Sequence, residues 1–167
     1  MEYALPGDIL FYDRHPDWID DLIITGERLE DGLHRIEAYH VAVALDSYQC
    51  VAALARGVSV TPIDYGVITI CRPLSQNAQT HQALMWAESK VGTPYGWLGI
   101  VDQALRDVSH NLIHLPDALI EWSNQKWPYC SIFATDFLQR AGYEELRDFP
   151  PPSPEDLWLE LKQFRVG

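Results

Sequence analysis

Hydrophobic and polar positions alternate with period two in the first half of the chain and follow a helical period in the second half. Period-two segments bounded by turn residues predict β-strands. We expect five of them, at residues 7–12, 38–45, 49–54, 58–63 and 67–72. The links between the last four are short, as antiparallel neighbours require.

Helices are predicted where the apolar spacing changes to three or four residues. A short helix is expected after Pro16, before a charged loop or hairpin at residues 26–37. Asn77 and Ser153 are the expected N-caps of two later helices. After the strands we expect five helices, at residues 77–90, 98–109, 116–123, 130–141 and from 154 onwards. A sheet followed by helices predicts an α+β fold, and the length predicts a single domain covering residues 1–167.

The segment at residues 127–142 carries the most informative chemistry. Pro128 limits where its helix can begin, Gly142 ends it, and apolar residues at helical spacing give it one buried face. Cys130 then lies in the first turn, where the helix dipole lowers the pKa of a thiol and favours the nucleophilic thiolate. A lone cysteine at a helix start is more often a small core residue, so the interpretation depends on a base and on oxyanion donors.

The segment at residues 38–45 offers the base. Alternation places Val41 and Val43 on one face of this strand and His40, with two alanines, on the other. Small residues allow close approach, so we expect the Cys130 helix on this second face, where it would meet His40. The backbone amide of Cys130 is a natural oxyanion donor. The alternative is a core histidine and a core cysteine.

Composition excludes several classes of function. The formal net charge of −12 argues against nucleic acid and against anionic membranes as partners. Three cysteines are too few for a disulfide framework, and no CxxC pair suggests zinc. His110 and His114 have the spacing of a helical metal pair, but no glutamate signature accompanies them, so no metal is expected. The first residues, MEYALPGDIL, lack the features of a signal peptide, and no segment is long and apolar enough to span a membrane.

Four segments, in this order, resemble a known family: GDILFYD, YHVAVAL, AESKVGTPYGWLG and YCSIFATDFLQRAGY. The family is that of the NlpC-type papain-like cysteine hydrolases, in its circularly permuted branch of YiiX-like proteins, with lecithin–retinol acyltransferase as a distant relative. The tail SPEDLW resembles the final helix, so the resemblance covers nearly the whole chain. It implies a circularly permuted papain-like fold with an N-terminal antiparallel sheet and a C-terminal nucleophile helix.

The resemblance also implies the activity and its residues. Cys130 would attack an amide or ester and form a thioester acyl-enzyme, with His40 as base and then acid. Tyr95 would lie by the oxyanion site, and Ser131 typically follows the nucleophile. The substrate implied is a peptide or a cell-wall, peptidoglycan-like peptide, and no cofactor is implied.

One position departs from the family. Where the family has a Glu, His, Asn or Gln that orients the catalytic histidine, this chain has Ala52. Gln49 is the nearest candidate orienter, although it has the opposite strand parity; a bulge or a backbone carbonyl could substitute. This departure keeps a non-catalytic or weakly active subunit of a larger assembly, such as a phage tail, as an alternative. A thioesterase or acyltransferase acting on lipid acyl groups is another. The expected location is the cytoplasm, a virion or a secreted assembly.

Overall fold

The computed structural model describes residues 2–13, 38–96, 112–143 and 152–166, together with residues 98, 101–102, 105–106, 109 and 146. The helix expected after Pro16 and the loop or hairpin expected at residues 26–37 lie outside the described residues. Half of the residues of the helix expected at 98–109 also lie outside them, and the six that are described are helical, as predicted.

Within the described ranges, five strands form one antiparallel sheet: β1 (Ile9–Tyr12), β2 (His40–Ala44), β3 (Gln49–Leu54), β4 (Gly57–Pro62) and β5 (Ile68–Cys71). The order across the sheet is β4-β3-β2-β1-β5. In the register, Ile9 of β1 lies between Val43 of β2 and Cys71 of β5. All five predicted strands are confirmed to within two residues at each end.

The helices of the described segments are α1 (Ala78–Ser89), α2 (Asp117–Lys126), α3 (Cys130–Arg140) and α4 (Pro154–Leu161), and a 3₁₀ turn follows at Lys162–Phe164. Asn77 caps α1 by accepting a hydrogen bond from the Thr80 amide at 2.9 Å. Ser153 and Asp156 form a capping box at the start of α4. Both predicted N-caps are therefore confirmed, and the chain has a mixed α+β fold.

Helix α3 packs against β2 and β3, on the face that carries the valines. Val41 and Val43 share a buried cluster with Phe133 and Phe137 of α3. The expectation that the helix would pack on the alanine face was wrong. The physical reason is area: phenylalanine rings against valines bury more apolar surface than rings against alanines.

The alanine face is filled instead by neighbouring strands. Ala42 and Ala44 belong to a second buried cluster with Leu10 of β1, Cys50 of β3 and Ile70 of β5. These side chains come from four strands of the same sheet, so small residues in the middle let the larger ones meet. The two clusters lie on opposite faces of the sheet and are called below the helix side and the alanine side.

Candidate active site

Cys130 is the first residue of α3, and its side chain is only 1% exposed. Tyr129 precedes it as the N-cap residue, with extended backbone and no side-chain hydrogen bond to the first turn. The positive end of the helix dipole therefore acts directly on the thiol and favours its ionised form. The prediction that Cys130 begins this helix is confirmed.

Tyr129 is a neighbour of the thiol that the sequence analysis did not single out. Its phenol is buried, and burial raises its pKa above the usual range. The neighbouring Cys130 and the carboxyl groups of Asp102 and Asp156 raise this pKa further. The phenol therefore stays protonated at neutral pH. The only available signal in the sequence was its position directly before the cysteine.

His40 is the first residue of β2 and is 3% exposed. Its Cα partner across the ladder is Tyr12, the last residue of β1, and the two ring centroids are 5.4 Å apart. The Tyr39 amide also donates to the Tyr12 carbonyl at 2.9 Å. Tyr39 and His40 therefore both lie opposite Tyr12, as in a β-bulge.

This irregularity breaks the alternation on which the sequence analysis relied. Ala38 and Val41 are separated by three positions, yet both lie in the helix-side cluster. Strict alternation would put them on opposite faces of the sheet. The alternation is therefore broken between Ala38 and Val41, where β2 begins.

The start of β2 and the start of α3 both lie near the first turn of α4. The Ala38 amide, two residues before β2, donates to the Glu155 carboxylate at 2.9 Å. The next residue, Asp156, is close enough to Tyr129 to raise the pKa of its phenol. One short helical turn thus approaches the residues that precede His40 and the residue that precedes Cys130.

The opposite end of β2 also lies close to α3. The Gly7 amide donates to the carbonyl of Ala44, the last residue of β2, at 2.8 Å. A Cβ added to Gly7 would lie 3.6 Å from the ring of Phe137. Gly7 therefore lies beside both the end of β2 and the middle of α3.

Tyr95 lies in an extended segment that runs beside the edge strand β4. The Val58 amide donates to the Thr93 carbonyl at 2.8 Å, and the Gly92 amide donates to the Val58 carbonyl at 2.8 Å. These two bonds extend the sheet by a short stretch of chain. Tyr95 follows directly and is buried in the helix-side cluster, together with Cys130.

Gly96 joins this segment to the start of α3. Its amide donates to the Pro128 carbonyl at 3.4 Å, and a Cβ at this position would overlap the Trp127 carbonyl oxygen. Only glycine permits so close an approach of two backbones. Tyr95 is therefore held next to the residues that lead into Cys130, which is the placement expected for an oxyanion-site residue.

Ser131 is completely buried one residue beyond the nucleophile. Its hydroxyl oxygen has no hydrogen-bond partner in the described structure. A buried hydroxyl without a partner costs about 1–3 kcal/mol. The geometry gives Ser131 no contact with solvent, so its part in oxyanion or substrate binding stays a prediction.

The two candidate orienting positions differ in their relation to His40. Ala52 is buried on the alanine side, and the β2–β3 register, when continued, places it opposite Ala42. That is one diagonal from His40, a Cβ separation of about 7–8 Å. Gln49 is exposed beside the β2–β3 turn, where its carbonyl accepts from the Leu45 amide at 2.9 Å. It lies five strand residues from His40, about 16 Å away, so the fold does not bring Gln49 to the imidazole.

The other two thiols are buried in strands, as expected. Burial raises the pKa of Cys71 to about 12, and the nearby Arg165 only partly opposes this. The sulfur of Cys50 lies 3.5 Å from the Tyr12 hydroxyl and 3.3 Å from the Thr61 hydroxyl. Neither thiol lies at a helix start.

No group of three or more His, Cys, Asp and Glu side chains that could hold a metal occurs among the residues the structure describes. The His114 ring contacts the Leu115 carbonyl at 3.0 Å, and the other half of the metal pair considered, His110, lies outside the described residues. No helix in the described part of the chain is long and apolar enough to cross a membrane.

A scan against protein-family models and a search among curated proteins both find no match. Function is therefore inferred from the arrangement of Cys130, His40 and Tyr95, together with the four sequence segments that resemble the permuted cysteine hydrolases.

Proposed function

We propose that this chain is a cysteine hydrolase with a circularly permuted papain-like fold, in which Cys130 is the nucleophile and His40 the base. One observation carries the proposal. Cys130 begins a buried helix that packs against β2, and it shares a buried cluster with Ala38, which lies two residues before His40. Tyr95, held against the residues before Cys130, supports the same assignment.

The proposed reaction uses side chains and backbone only. His40 takes the proton of the Cys130 thiol, and the thiolate attacks the carbonyl carbon of the substrate. The Cys130 amide and the Tyr95 hydroxyl stabilise the resulting oxyanion. The amine leaves with the proton from His40, which gives a thioester. Water then attacks the thioester with His40 as base, and the acid product and free thiol are released.

The substrate class follows from the resemblance: a peptide, or a cell-wall peptide, cleaved at an amide bond. The net charge of −12 disfavours a strongly acidic substrate, because the overall field of the protein would repel it.

A second candidate is a weakly active or non-catalytic subunit of a larger assembly. Two observations favour it. Ala52 supplies no hydrogen-bond acceptor at the usual orienting position, and the Cys130 side chain is almost fully buried. A substrate would reach the thiol only after local movement around the start of α3.

The two candidates are separated by turnover. Purified protein is assayed with an activated ester and with a peptide amide, alongside Cys130→Ala and His40→Gln, and intact mass is followed for an acyl adduct. We expect both variants to lose at least about 100-fold in rate, which is typical for a nucleophile or a general base. Cys71→Ala is the matched control, because it removes a buried thiol from strand β5.

Hydrolysis that survives Cys130→Ala would overturn the assignment of the nucleophile. A folded wild-type protein with no hydrolysis and no adduct would overturn the hydrolase and leave the second candidate.

A further inference from the structure

We propose that Tyr12 is a positioning residue for His40, whose imidazole it holds from the neighbouring strand. The inference rests on the proposed function, in which His40 is the base. It assigns to β1 the task that position 52 of β3 performs in the family the sequence resembles.

The contact is a direct cross-strand pair. Tyr12 and His40 are Cα partners, and their ring centroids lie 5.4 Å apart with an angle of 57° between the planes. The two rings are in contact, so rotation of one ring is limited by the other. The pair lies where β1 ends and β2 begins.

Tyr12 is itself fixed at its far end. Its hydroxyl contacts the Cys50 sulfur at 3.5 Å, and that sulfur contacts the Thr61 hydroxyl at 3.3 Å. Burial first, and then Cys50, raise the pKa of Tyr12, so the phenol keeps its proton. A tyrosine side chain has only two rotatable angles, so an anchor at each end leaves one orientation.

The contact with Cys50 also explains the alanines of β2. In the register, Tyr12 and Cys50 are four residues apart along the strands and two strands apart across them, with β2 between. In a flat sheet their Cα atoms would be about 16 Å apart, further than the two side chains reach. The sheet must therefore curl, with the alanine side concave, and Ala42 leaves room for the Tyr12 ring to cross β2.

The absence of an acceptor at Ala52 agrees with this arrangement. A larger side chain at position 52 would enter the same concave face, which the Tyr12 ring and Cys50 already occupy. Packing by Tyr12 restricts the ring whichever atom accepts the His40 proton. It is thus an alternative to the hydrogen bond that normally holds a catalytic histidine.

The test compares three substitutions on β1. Tyr12→Leu removes the ring contact, and Tyr12→Phe keeps the ring but removes the hydroxyl. Phe11→Leu is the matched control, because Phe11 is the adjacent buried aromatic residue and faces the helix side, 5.4 Å from Trp158. The folded fraction of each variant is measured by circular dichroism, and rates are corrected for it.

We expect Tyr12→Leu to lower kcat/KM for an activated ester by about 10-fold or more, since misplacing a catalytic group by about 1 Å can cost 100-fold. Tyr12→Phe should lose less activity than Tyr12→Leu, because it keeps the ring contact but loses the anchor at Cys50, and Phe11→Leu should match wild type per folded molecule. In ¹⁵N-histidine NMR spectra, with His40→Gln used to assign the signal, Tyr12→Leu should shift and broaden the His40 ring resonances, whereas Phe11→Leu should not.

The NMR arm keeps this inference separate from the proposed function. If the wild type shows no Cys130-dependent hydrolysis, the hydrolase fails, and the His40 signals still decide whether Tyr12 holds the ring. Unchanged His40 signals in Tyr12→Leu would overturn the positioning role. Equal loss of activity per folded molecule in Tyr12→Leu and Phe11→Leu would also overturn it, by indicating general disruption of β1.

Discussion

Selective alkylation of the three thiols gives the most direct test of the site. The native protein is treated with iodoacetamide at pH about 6.5, and each cysteine peptide is quantified by mass spectrometry over time. Only the thiolate reacts, so the rate at each position depends on its ionised fraction and on access. We expect Cys130 to be labelled first, because it alone of the three begins a helix.

The expected selectivity against Cys71 follows from its pKa. An ordinary thiol with a pKa of about 8.5 is about 1% ionised at pH about 6.5. With the pKa of about 12 that burial gives it, Cys71 is ionised to only about three parts in a million at that pH. Ionisation alone therefore slows Cys71 by about 3,000-fold relative to an ordinary thiol.

Two controls complete this experiment. In denaturant, all three cysteines should react at similar rates, which shows that the selectivity comes from the fold. His40→Gln should slow the labelling of Cys130 in the native protein, because the imidazole no longer accepts the thiol proton. If Cys50 or Cys71 reacts as fast as Cys130 in the native state, the reasoning that places the nucleophile at the start of α3 is refuted.

Three further predictions concern the surroundings of the site. Gly96→Ala forces a Cβ into the Trp127 carbonyl, so the free energy of unfolding in urea should fall by at least about 3 kcal/mol. In Gly92→Ala the new Cβ meets no atom within 4 Å, so the free energy of unfolding should fall by only about 1 kcal/mol. Equal effects of the two substitutions would contradict the close approach at Gly96. Asp8→Asn breaks the ion pair with Arg72, in which guanidinium nitrogens lie 2.9 Å from both carboxylate oxygens. Because Arg72 is partly exposed, the loss of unfolding free energy should be about 2–3 kcal/mol, which is less than for a fully buried pair. A change below about 0.5 kcal/mol, the scale of ordinary surface substitutions, would show that the ion pair does not stabilise the fold. Ala52→Asn should lower activated-ester hydrolysis, because the new carboxamide crowds the face that the Tyr12 ring already occupies. A several-fold higher rate would mean that the carboxamide orients His40 and that Tyr12 does not, and an unchanged rate in a folded variant would mean that position 52 is not beside His40.

The amino-acid sequence by itself determined the local elements of this protein. The alternation at residues 49–54 predicts β3 with its observed bounds. Asn77 and Ser153 predict the starts of α1 and α4. The side chain of each accepts the expected hydrogen bond from the backbone amide three residues further along. Signals of this kind succeed because donor and acceptor lie within one turn of the chain, so that no distant contact can override them.

The tertiary structure alone decided how these elements are arranged. The position of β1 between β2 and β5 depends on pairing with strands about 30 and 60 residues away in sequence. The short links between consecutive strands, from which antiparallel pairing was predicted, say nothing about these distant partners. The face on which α3 packs was predicted wrongly, because alanines permit close approach equally well to a helix and to the side chains of a curled sheet.

The candidate site divides in the same way. Residue types and spacing identified Cys130 and His40 as candidates, and the resemblance to the permuted cysteine hydrolases implied Tyr95. Only the register and the curl of the sheet revealed two further relations. Gln49 lies at the far end of the β2–β3 hairpin, and Tyr12 lies against His40. Register sets which side chains become neighbours, and it results from the packing of the whole sheet rather than from any single segment.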